Sequence, residues 1–229
     1  MAEFDPHSHN YREQLERSIR GLGSVDGAIE SKLQVLTDIA GRRPAGPSNR
    51  VLDFGCGTGL LTDTLRGLAA NRYGVDVSVE SLKQSVSPGS HLALFDGKKL
   101  PFRDEAFDLV VASCVFHHIL PDARLPALQE IQRVLACEGV FVLIEHNPYN
   151  PVTRFVVNRC EFDKDAQLLS LRAAGILLQE AGLHAFRQGY FYAVPPVNRV
   201  LSYIDRALSW LPLGAQYYCA YSRTPLQAA

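Results

Sequence analysis

Apolar residues recur along this chain with two different spacings, and the change from one spacing to the other separates predicted helices from predicted strands. Near the N-terminus, Tyr11, Leu15 and Ile19 repeat every four residues, which is the spacing of one helix face. A second stripe of this kind runs through residues 29–39. We therefore predict an N-terminal helical cap over residues 1–47.

Beyond residue 48, short apolar runs typical of strands alternate with amphipathic stretches typical of helices. This alternation predicts an α/β fold with a doubly wound, mostly parallel sheet over residues 48–229. A helix is predicted over 197–211, and the proline-containing run NPYNP at 147–151 is predicted as a loop. The seven strand-like runs are RVLDF, RYGVDV, HLALFD, FDLVVAS, VFVLIEH, LHAFRQGYFYAV and AQYYCAYSR.

The loop after the first strand carries glycines at alternate positions, Gly55, Gly57 and Gly59, within RVLDFGCGTGLLT. In a doubly wound sheet such a loop opens onto the crevice at the carboxyl ends of the strands, and glycine lets a ligand approach the backbone closely. The spacing is one residue shorter than the G-x-G-x-x-G of dinucleotide folds. Asp53 would also repel a pyrophosphate but would suit a cationic amine or sulfonium. These features disfavour a nicotinamide oxidoreductase.

Two further carboxylates follow at the ends of the second and third strands. Asp76 ends the run YGVDV, at the distance from the glycines where a carboxylate accepts hydrogen bonds from a ribose diol. Asp96 ends the run LALFD, where it can accept a hydrogen bond from an adenine amino group. Three carboxylates at three consecutive strand ends predict a site for a nucleoside with a cationic group.

With these motifs the chain resembles the class I S-adenosylmethionine-dependent methyltransferases. The resemblance implies a Rossmann-like sheet with an antiparallel last strand, S-adenosyl-L-methionine as cofactor and S-adenosyl-L-homocysteine as product. It covers roughly residues 11–146. The motifs that carry it are VLDFGCGTG, GVDVS, FDGKKLPF, FDLVVASCVFHHI and LQEIQRVLACEGVFVLIEH.

The same resemblance implies a role for each residue of the cofactor site. Asp53, Gly55 and Gly57 are expected around the methionine moiety, and Ser113 at its amino end. Cys56 and Gly59 belong to the same glycine loop as Gly55 and Gly57 and are expected at the cofactor as well. The resemblance also implies Asp76 on the ribose, Val77 against the adenine, and Asp96 and Gly97 at the adenine edge. Tyr11 is expected in a segment that folds over the cofactor, with a frayed terminus as the alternative.

Three histidines are candidates for the base that methylation of a hydroxyl requires. Methyl transfer depends on alignment of nucleophile, methyl and sulfur, and a hydroxyl must also lose its proton. His117 and His118 follow the fourth strand and His146 follows the fifth, so all three fall at the carboxyl edge of the sheet. We predict His118 as the base and keep His146 in reserve; a packed, structural histidine is the alternative reading for each.

The acceptor site is predicted in two segments, 147–166 and 195–212. In the first, Asn147, Tyr149 and Arg154 are candidates for substrate binding, with a solvated loop as the alternative. In the second, the apolar stripe of the helix is expected to pack over the acceptor pocket. The preferred acceptor is a small-molecule hydroxyl of a sugar or natural-product intermediate. Methylation of nitrogen or carbon, and a non-catalytic cofactor-binding module, are the alternatives.

Composition and charge limit the partners and the compartment. The formal net charge of −1 gives no support for nucleic-acid binding. No apolar run reaches the length of a membrane span, so we expect no integral membrane association. The five cysteines form no C-x-x-C pair, which predicts reduced thiols, no metal site and a cytoplasmic protein. The sequence is compatible with a homodimer.

Overall fold

A seven-stranded sheet lies at the centre of the molecule in the order β3-β2-β1-β4-β5-β7-β6. The computed structural model describes residues 11–21, 23–43, 49–163, 165–194 and 198–226, and only the backbone of Tyr11, Phe162 and Arg199. The strands are β1 Arg50–Phe54, β2 Asn71–Asp76, β3 His91–Leu94, β4 Phe107–Ser113, β5 Leu135–His146, β6 His184–Phe191 and β7 Gln216–Ser222.

Eight α-helices accompany the strands in the described residues, and a short 3-10 turn at Glu161–Asp163 follows the sixth. The helices are α1 Tyr11–Ser18, α2 Val25–Gly41, α3 Leu60–Thr64, α4 Val79–Lys83, α5 Pro121–Val134, α6 Pro151–Arg159, α7 Leu171–Glu180 and α8 Arg199–Ala207. None of them, within the ranges given above, has the length and hydropathy needed to cross a membrane.

The strand directions confirm the predicted fold class. Strands β1 to β5 pair in parallel, while β7 pairs antiparallel with both β5 and β6. Because the chain turns in opposite directions from β1 and from β4, a crevice opens at the carboxyl ends of these two strands. The glycine loop and the residues after β4 meet in this crevice.

Two apolar layers cover the two faces of the sheet. On one face, Leu128 of α5 and Leu178 of α7 are fully buried in a cluster with residues of β4 and β5. On the other face, Leu36 of α2 packs in a cluster with Leu65 and Val111. Helix α2 therefore contributes to the core of the sheet, and the predicted boundary of the cap at residue 47 falls outside the described residues.

One helix was not predicted from the sequence. The run NPYNP is a turn, as predicted, but it leads directly into α6. The Asn150 side chain accepts hydrogen bonds from the backbone N–H groups of Val152 and Thr153, and Pro151 occupies the first helical turn. This is a favourable helix start, because an N-cap amide satisfies free N–H groups and proline has no N–H to satisfy.

Candidate active site

A cavity of about 880 Å³ lies at the carboxyl ends of β1, β4 and β5. The glycine loop and the histidines after β4 both line it. Helices α2 and α6 form walls, together with Tyr192 and Ala193 after β6. The cavity falls within the size range of small-molecule and cofactor sites.

The glycine loop holds its shape through left-handed backbone angles. Gly55 has φ 73°, and a Cβ atom there would lie 2.6 Å from Cγ2 of Val115, too close for any side chain. Gly57 has φ 53°, but a Cβ atom there would meet no atom within 4 Å. Gly57 therefore presents bare backbone to the open cavity, which permits close approach of a ligand. Gly59 caps α3 behind the loop and does not line the cavity.

Asp76 connects the glycine loop to the turn after β2. Its Oδ2 accepts a hydrogen bond from the Gly57 N–H at 2.7 Å, and its Oδ1 accepts one from the Ser78 N–H at 2.8 Å. The carboxylate lines the cavity and is only partly buried. Since each carboxylate oxygen can accept more than one hydrogen bond, Asp76 retains capacity for a ligand hydroxyl.

Asp53 lies beneath the loop with 2 % of its surface exposed. Its Oδ2 accepts a hydrogen bond from the Thr62 hydroxyl at 2.6 Å. Burial raises the pKa of Asp53 to about 6, although the hydrogen bond from Thr62 opposes the shift, and the charge of Asp76 adds to it. A cationic ligand beside Asp53 would favour its ionised form.

The rim of the crevice carries the residues predicted at the adenine. Asp96 is exposed, and its Oδ1 accepts hydrogen bonds at 2.9 Å from the backbone N–H groups of Lys98 and Lys99. These bonds hold the pKa of Asp96 below its ordinary value. Val77 is exposed, and together with Asp96 and Gly97 it lines the cavity.

Two residues deeper in the loop region complete the described part of the predicted cofactor site. The thiol of Cys56 is buried, and burial raises its pKa. The Ser113 hydroxyl oxygen is buried at the end of β4 and has no hydrogen-bond partner among the described residues. A buried hydroxyl without a partner is costly, so Ser113 is available to a polar ligand group. The side chain of Tyr11 lies outside the described residues.

Among the histidines that line the cavity, His117 is held by Glu145. Nδ1 of His117 lies 2.5 Å from Oε2 of Glu145, and both side chains are 1 % exposed. The other Glu145 oxygen accepts hydrogen bonds from the N–H groups of Val115 and Phe116. Although burial opposes it, the charge of Glu145 and the contacts with Asp163 and Glu145 raise the pKa of His117 to about 10. His117 is therefore held by a charged partner on Nδ1, while its Nε2 lies 3.4 Å from Asp163.

His118 and His117 both face Asp163, a residue that the sequence did not indicate. Asp163 Oδ1 lies 3.3 Å from Nε2 of His118 and 3.4 Å from Nε2 of His117. The turn after α6 brings Asp163 to this position. Burial alone would raise the pKa of Asp163, but the two histidines hold it far below its ordinary range.

The third histidine, His146, is paired with Cys114, another residue that the sequence did not indicate. Lys32 Nζ lies 3.6 Å and Gln216 Nε2 3.3 Å from the Cys114 sulfur. Burial opposes ionisation of the thiol, but the charges of Lys32 and His146 lower its pKa to about 6. Cys114 also has a left-handed φ of 57°, which is unusual for a residue other than glycine and is common at functional sites.

The predicted acceptor-binding residues lie elsewhere. Asn147 is fully buried, and its side-chain amide donates to the carbonyl oxygens of Pro212 and Gly214 at 3.0 and 2.8 Å. Tyr149 and Arg154 are exposed and do not line the cavity. Asn147 therefore joins two loops. The residues of α6 and its start that line the cavity are instead Asn150, Val152, Thr153 and Val156.

Helix α8 does not cover the pocket, so the prediction for its apolar stripe is wrong. None of the described residues within 198–212 lines the cavity. Asp205 faces inward and accepts hydrogen bonds from the backbone N–H groups of 192–194. With Asp205 directed inward, Val200 and Tyr203 are 68 % and 75 % exposed.

Comparison with known proteins gives the family. A family model described as a methyltransferase domain matches residues 52–143. An uncharacterized methyltransferase of Synechocystis is 30 % identical over 154 residues, covering 64 % of this chain and 72 % of that relative. The chain belongs to the class I S-adenosylmethionine-dependent methyltransferases. An uncharacterized methyltransferase of Schizosaccharomyces pombe is 32 % identical over 111 residues. This match covers 46 % of this chain and 43 % of that relative, so the chain spans less than half of that relative's length.

A solved methyltransferase structure also covers nearly the whole chain. The S-adenosylmethionine-dependent enzyme from Thermotoga maritima aligns with a TM-score of 0.72 and 20 % identity, over 97 % of this chain and 98 % of its own. At this identity the likeness concerns the fold, including the sheet with its antiparallel last strand.

The residues of this methyltransferase fit the cofactor of its family. The open space at Gly57 leaves room for a ligand against the backbone. Ser113 lines the same cavity, and its hydroxyl has no hydrogen-bond partner within the part of the chain that the structure describes. Asp53 and Asp76 supply negative charge, which suits a cation. S-adenosylmethionine, when bound, supplies a methyl group on a cationic sulfur.

Proposed function

We propose that this methyltransferase transfers a methyl group from S-adenosylmethionine to a hydroxyl of a small molecule. The observation that carries the proposal is that Gly57, Asp76, His118 and Asp163 all line one cavity. We place the donor at the first two residues and the acceptor at the last two. Donor and acceptor placed in this way would meet inside the cavity. Alignment in such a space can lower the barrier of a displacement reaction by about 7–11 kcal/mol.

At the donor end, the proposed contacts follow from charge and hydrogen-bonding capacity. Asp76 would accept hydrogen bonds from the ribose hydroxyls, and Asp96 from the adenine amino group. Asp53 would attract the positive charge of the methionine end, and Ser113 would bond its polar groups. These assignments use the carboxylates at the ends of neighbouring parallel strands.

At the acceptor end, the pair His118 and Asp163 would remove the proton of the hydroxyl. His117 is engaged by Glu145, and His146 is engaged by Cys114, so His118 is the histidine best placed to serve the acceptor. Its side chain is 10 % exposed and lines the cavity. A proton acceptor positioned in this way contributes roughly 10²–10⁴-fold to the rate.

The walls of the acceptor end support a small molecule with apolar carbon and few polar groups. Ile119, Val152 and Val156 line the cavity beside the polar pair. The formal net charge of −1 supports no nucleic-acid acceptor. An amine or carbon acceptor is the alternative, since neither requires removal of a hydroxyl proton in the same way.

Transfer of a labelled methyl group to a panel of hydroxylated and amine-containing small molecules tests this proposal. We expect turnover with a hydroxylated compound and loss of turnover in His118→Ala, with S-adenosylhomocysteine binding retained. His184→Ala, at an exposed histidine on β6, is the matched control. Methylation of transfer RNA with no small-molecule turnover would contradict the proposal.

A further inference from the structure

We propose that His117, His118 and Asp163 bind one divalent cation, best fitted by Zn²⁺, with a coordination position open to the acceptor end of the cavity. The site itself stands on geometry alone. Its role in catalysis rests on the proposed hydroxyl transfer: with the cation bound, His118 would act as a ligand and not as the proton acceptor, and the cation would make the acceptor hydroxyl acidic in its place.

The two spacings that involve Asp163 match a small coordination sphere. No two of the three ligand atoms are more than 4.8 Å apart, and the two distances from Asp163 Oδ1 are 3.3 and 3.4 Å. Zinc binds nitrogen and oxygen at about 2.0–2.2 Å, so neighbouring ligands of a tetrahedral site lie about 3.4 Å apart. An octahedral site would bring them to about 3.0 Å, so the spacing favours four-coordinate zinc.

The same distances are too long for good hydrogen bonds. An N–H···O bond normally spans about 2.7–3.2 Å. His117 Nε2 is buried and makes no hydrogen bond with any residue in the described ranges, although its side chain is 1 % exposed. A buried ring nitrogen of this kind carries a free-energy cost unless a partner binds it. A cation between His117 and Asp163 would give the Nε2 nitrogen of His117 a binding partner and would balance the charge of the Asp163 carboxylate.

Glu145 supplies the support that a metal-binding histidine needs. It bonds Nδ1 of His117 at 2.5 Å, which directs Nε2 toward Asp163. Histidine ligands almost always carry such a carboxylate or carbonyl partner on the second nitrogen, and the partner fixes the ring and its tautomer. Glu145 is itself held by two backbone N–H groups, so its position is well defined.

Hydrogen bonds also connect the backbone segments that carry the three ligands. The Gln167 N–H donates to the carbonyl oxygen of His117 at 2.8 Å, and the Arg124 guanidinium donates to the carbonyl oxygen of Gln167 at 2.9 Å. The Asp163 N–H donates to the carbonyl of Cys160 at 3.2 Å. The segment that carries Asp163 is thus tied to the segment that carries the histidines, which keeps the three ligands at metal-binding distance.

Three protein ligands leave a fourth position for the substrate, as in catalytic zinc sites. An acceptor hydroxyl bound there would lose its proton to water more readily, because the cation stabilises the alkoxide. The oxygen then forms a bond to the methyl carbon as the carbon–sulfur bond breaks. The sulfur keeps the electron pair and becomes a neutral thioether. The chemistry selects acceptors with a hydroxyl that can reach the metal.

Metal titration of the full chain after chelator treatment and dialysis tests the site. We expect one equivalent of Zn²⁺ by calorimetry, and a visible absorption band with one equivalent of Co²⁺ that indicates tetrahedral coordination. His118→Ala and Asp163→Asn should each weaken Zn²⁺ binding at least tenfold. Asp165→Asn, at an exposed residue two positions along the same segment, should bind as the wild type does.

Absence of stoichiometric Zn²⁺ binding to the wild type would overturn the site, as would unchanged affinity in both ligand variants. Binding of S-adenosylhomocysteine reports that each variant is folded. If metal-free protein methylates a hydroxyl at the full rate, the catalytic role of the metal is overturned while the proposed function stands. If the zinc-loaded protein binds S-adenosylhomocysteine but methylates only amines, the proposed hydroxyl transfer is overturned while the zinc site stands.

Discussion

The carboxylate of Asp76 accepts a hydrogen bond from the backbone N–H of Gly57, at 2.7 Å. This contact joins the end of β2 to the glycine loop after β1, so one side chain shapes the loop and faces the cavity that the loop lines. A change at Asp76 is therefore expected to weaken ligand binding in two ways. The ligand loses a hydrogen-bond acceptor, and the glycine loop loses the contact that holds its shape.

Asp76→Ala should weaken binding of S-adenosylhomocysteine by about 1–3 kcal/mol, or roughly 5- to 150-fold, because ligand hydroxyls lose their acceptor. Calorimetry on the folded variant measures this change. Asp122→Ala, at an exposed aspartate at the start of α5, is the control and should bind normally. Unchanged affinity in Asp76→Ala would remove the residue from the cofactor site.

Asp53→Asn should stabilise the cofactor-free protein at pH 8 and do little at pH 4. The folded-state pKa of Asp53 is about 6 against an ordinary value of 3.8, so the folded protein holds a proton that the unfolded chain has lost between these values. Stability from this group therefore falls as pH rises from about 4 to 6, by on the order of 3 kcal/mol.

Urea unfolding at both pH values, without S-adenosylmethionine, checks the Asp53 prediction. Asp63→Asn, at a less buried aspartate in α3, should show no comparable gain. A variant at Asp53 that is no more stable than the wild type at pH 8 would show that its carboxylate is not strained by burial.

His118→Ala should lower kcat about 10²–10⁴-fold while S-adenosylhomocysteine affinity stays within about twofold. The reason is that His118 is proposed to serve the acceptor and is not among the residues predicted to bind the cofactor. Steady-state kinetics and calorimetry on the same preparation separate the two quantities. A near-normal kcat would show that positioning alone drives the reaction.

Cys114 should react with iodoacetamide in a thiolate-dependent manner, with half-maximal rate near pH 6, because its pKa is lowered to about 6 by Lys32 and His146 against the effect of burial. Lys32→Met removes the ammonium and should move the profile to higher pH. Mass spectrometry of the labelled peptide gives the rate, and Cys114→Ser identifies the site. A profile centred near pH 8.5, the ordinary thiol value, would contradict the lowered pKa.

Asn150→Ala should destabilise the protein by about 0.5–2 kcal/mol, because the N-cap of α6 is lost. The variant also loses the hydrogen bond from the Asn150 amide to the Leu213 carbonyl, 2.7 Å long. Asn158→Ala, at an exposed position of the same helix, is the control. Equal unfolding midpoints for the two variants would show that the cap does not hold α6.

The pattern of apolar runs was sufficient to predict the strands of the sheet and the order of strands and helices along the chain. The run FDLVVAS has a continuous apolar stretch at residues 109–112 because β4 is covered on both faces, and the structure places this strand in the centre of the sheet. Helix α6 was missed because its start reads as a turn. Only the capping contacts of Asn150 distinguish a helix start there from a loop.

The polar contacts of the late segments could not be read from the chain. Asn147 appeared suited to a ligand, yet its amide bonds two backbone carbonyls. Helix α8 was recognised, but Asp205 determines which of its faces points inward. In both cases the deciding partners are backbone groups of distant residues, and a one-dimensional pattern contains no record of them.

By itself, the sequence determined the fold class and the placement of the three carboxylates that we predict at the cofactor, because neighbouring parallel strands end at one edge and bring Asp53, Asp76 and Asp96 to it. Tertiary structure alone decided the chemistry of the acceptor end. Lys32 reaches Cys114 across 82 residues, and Asp163 meets the two histidines through a turn after a helix that the pattern did not show. Such contacts depend on how separate elements pack, and local spacing does not specify that packing.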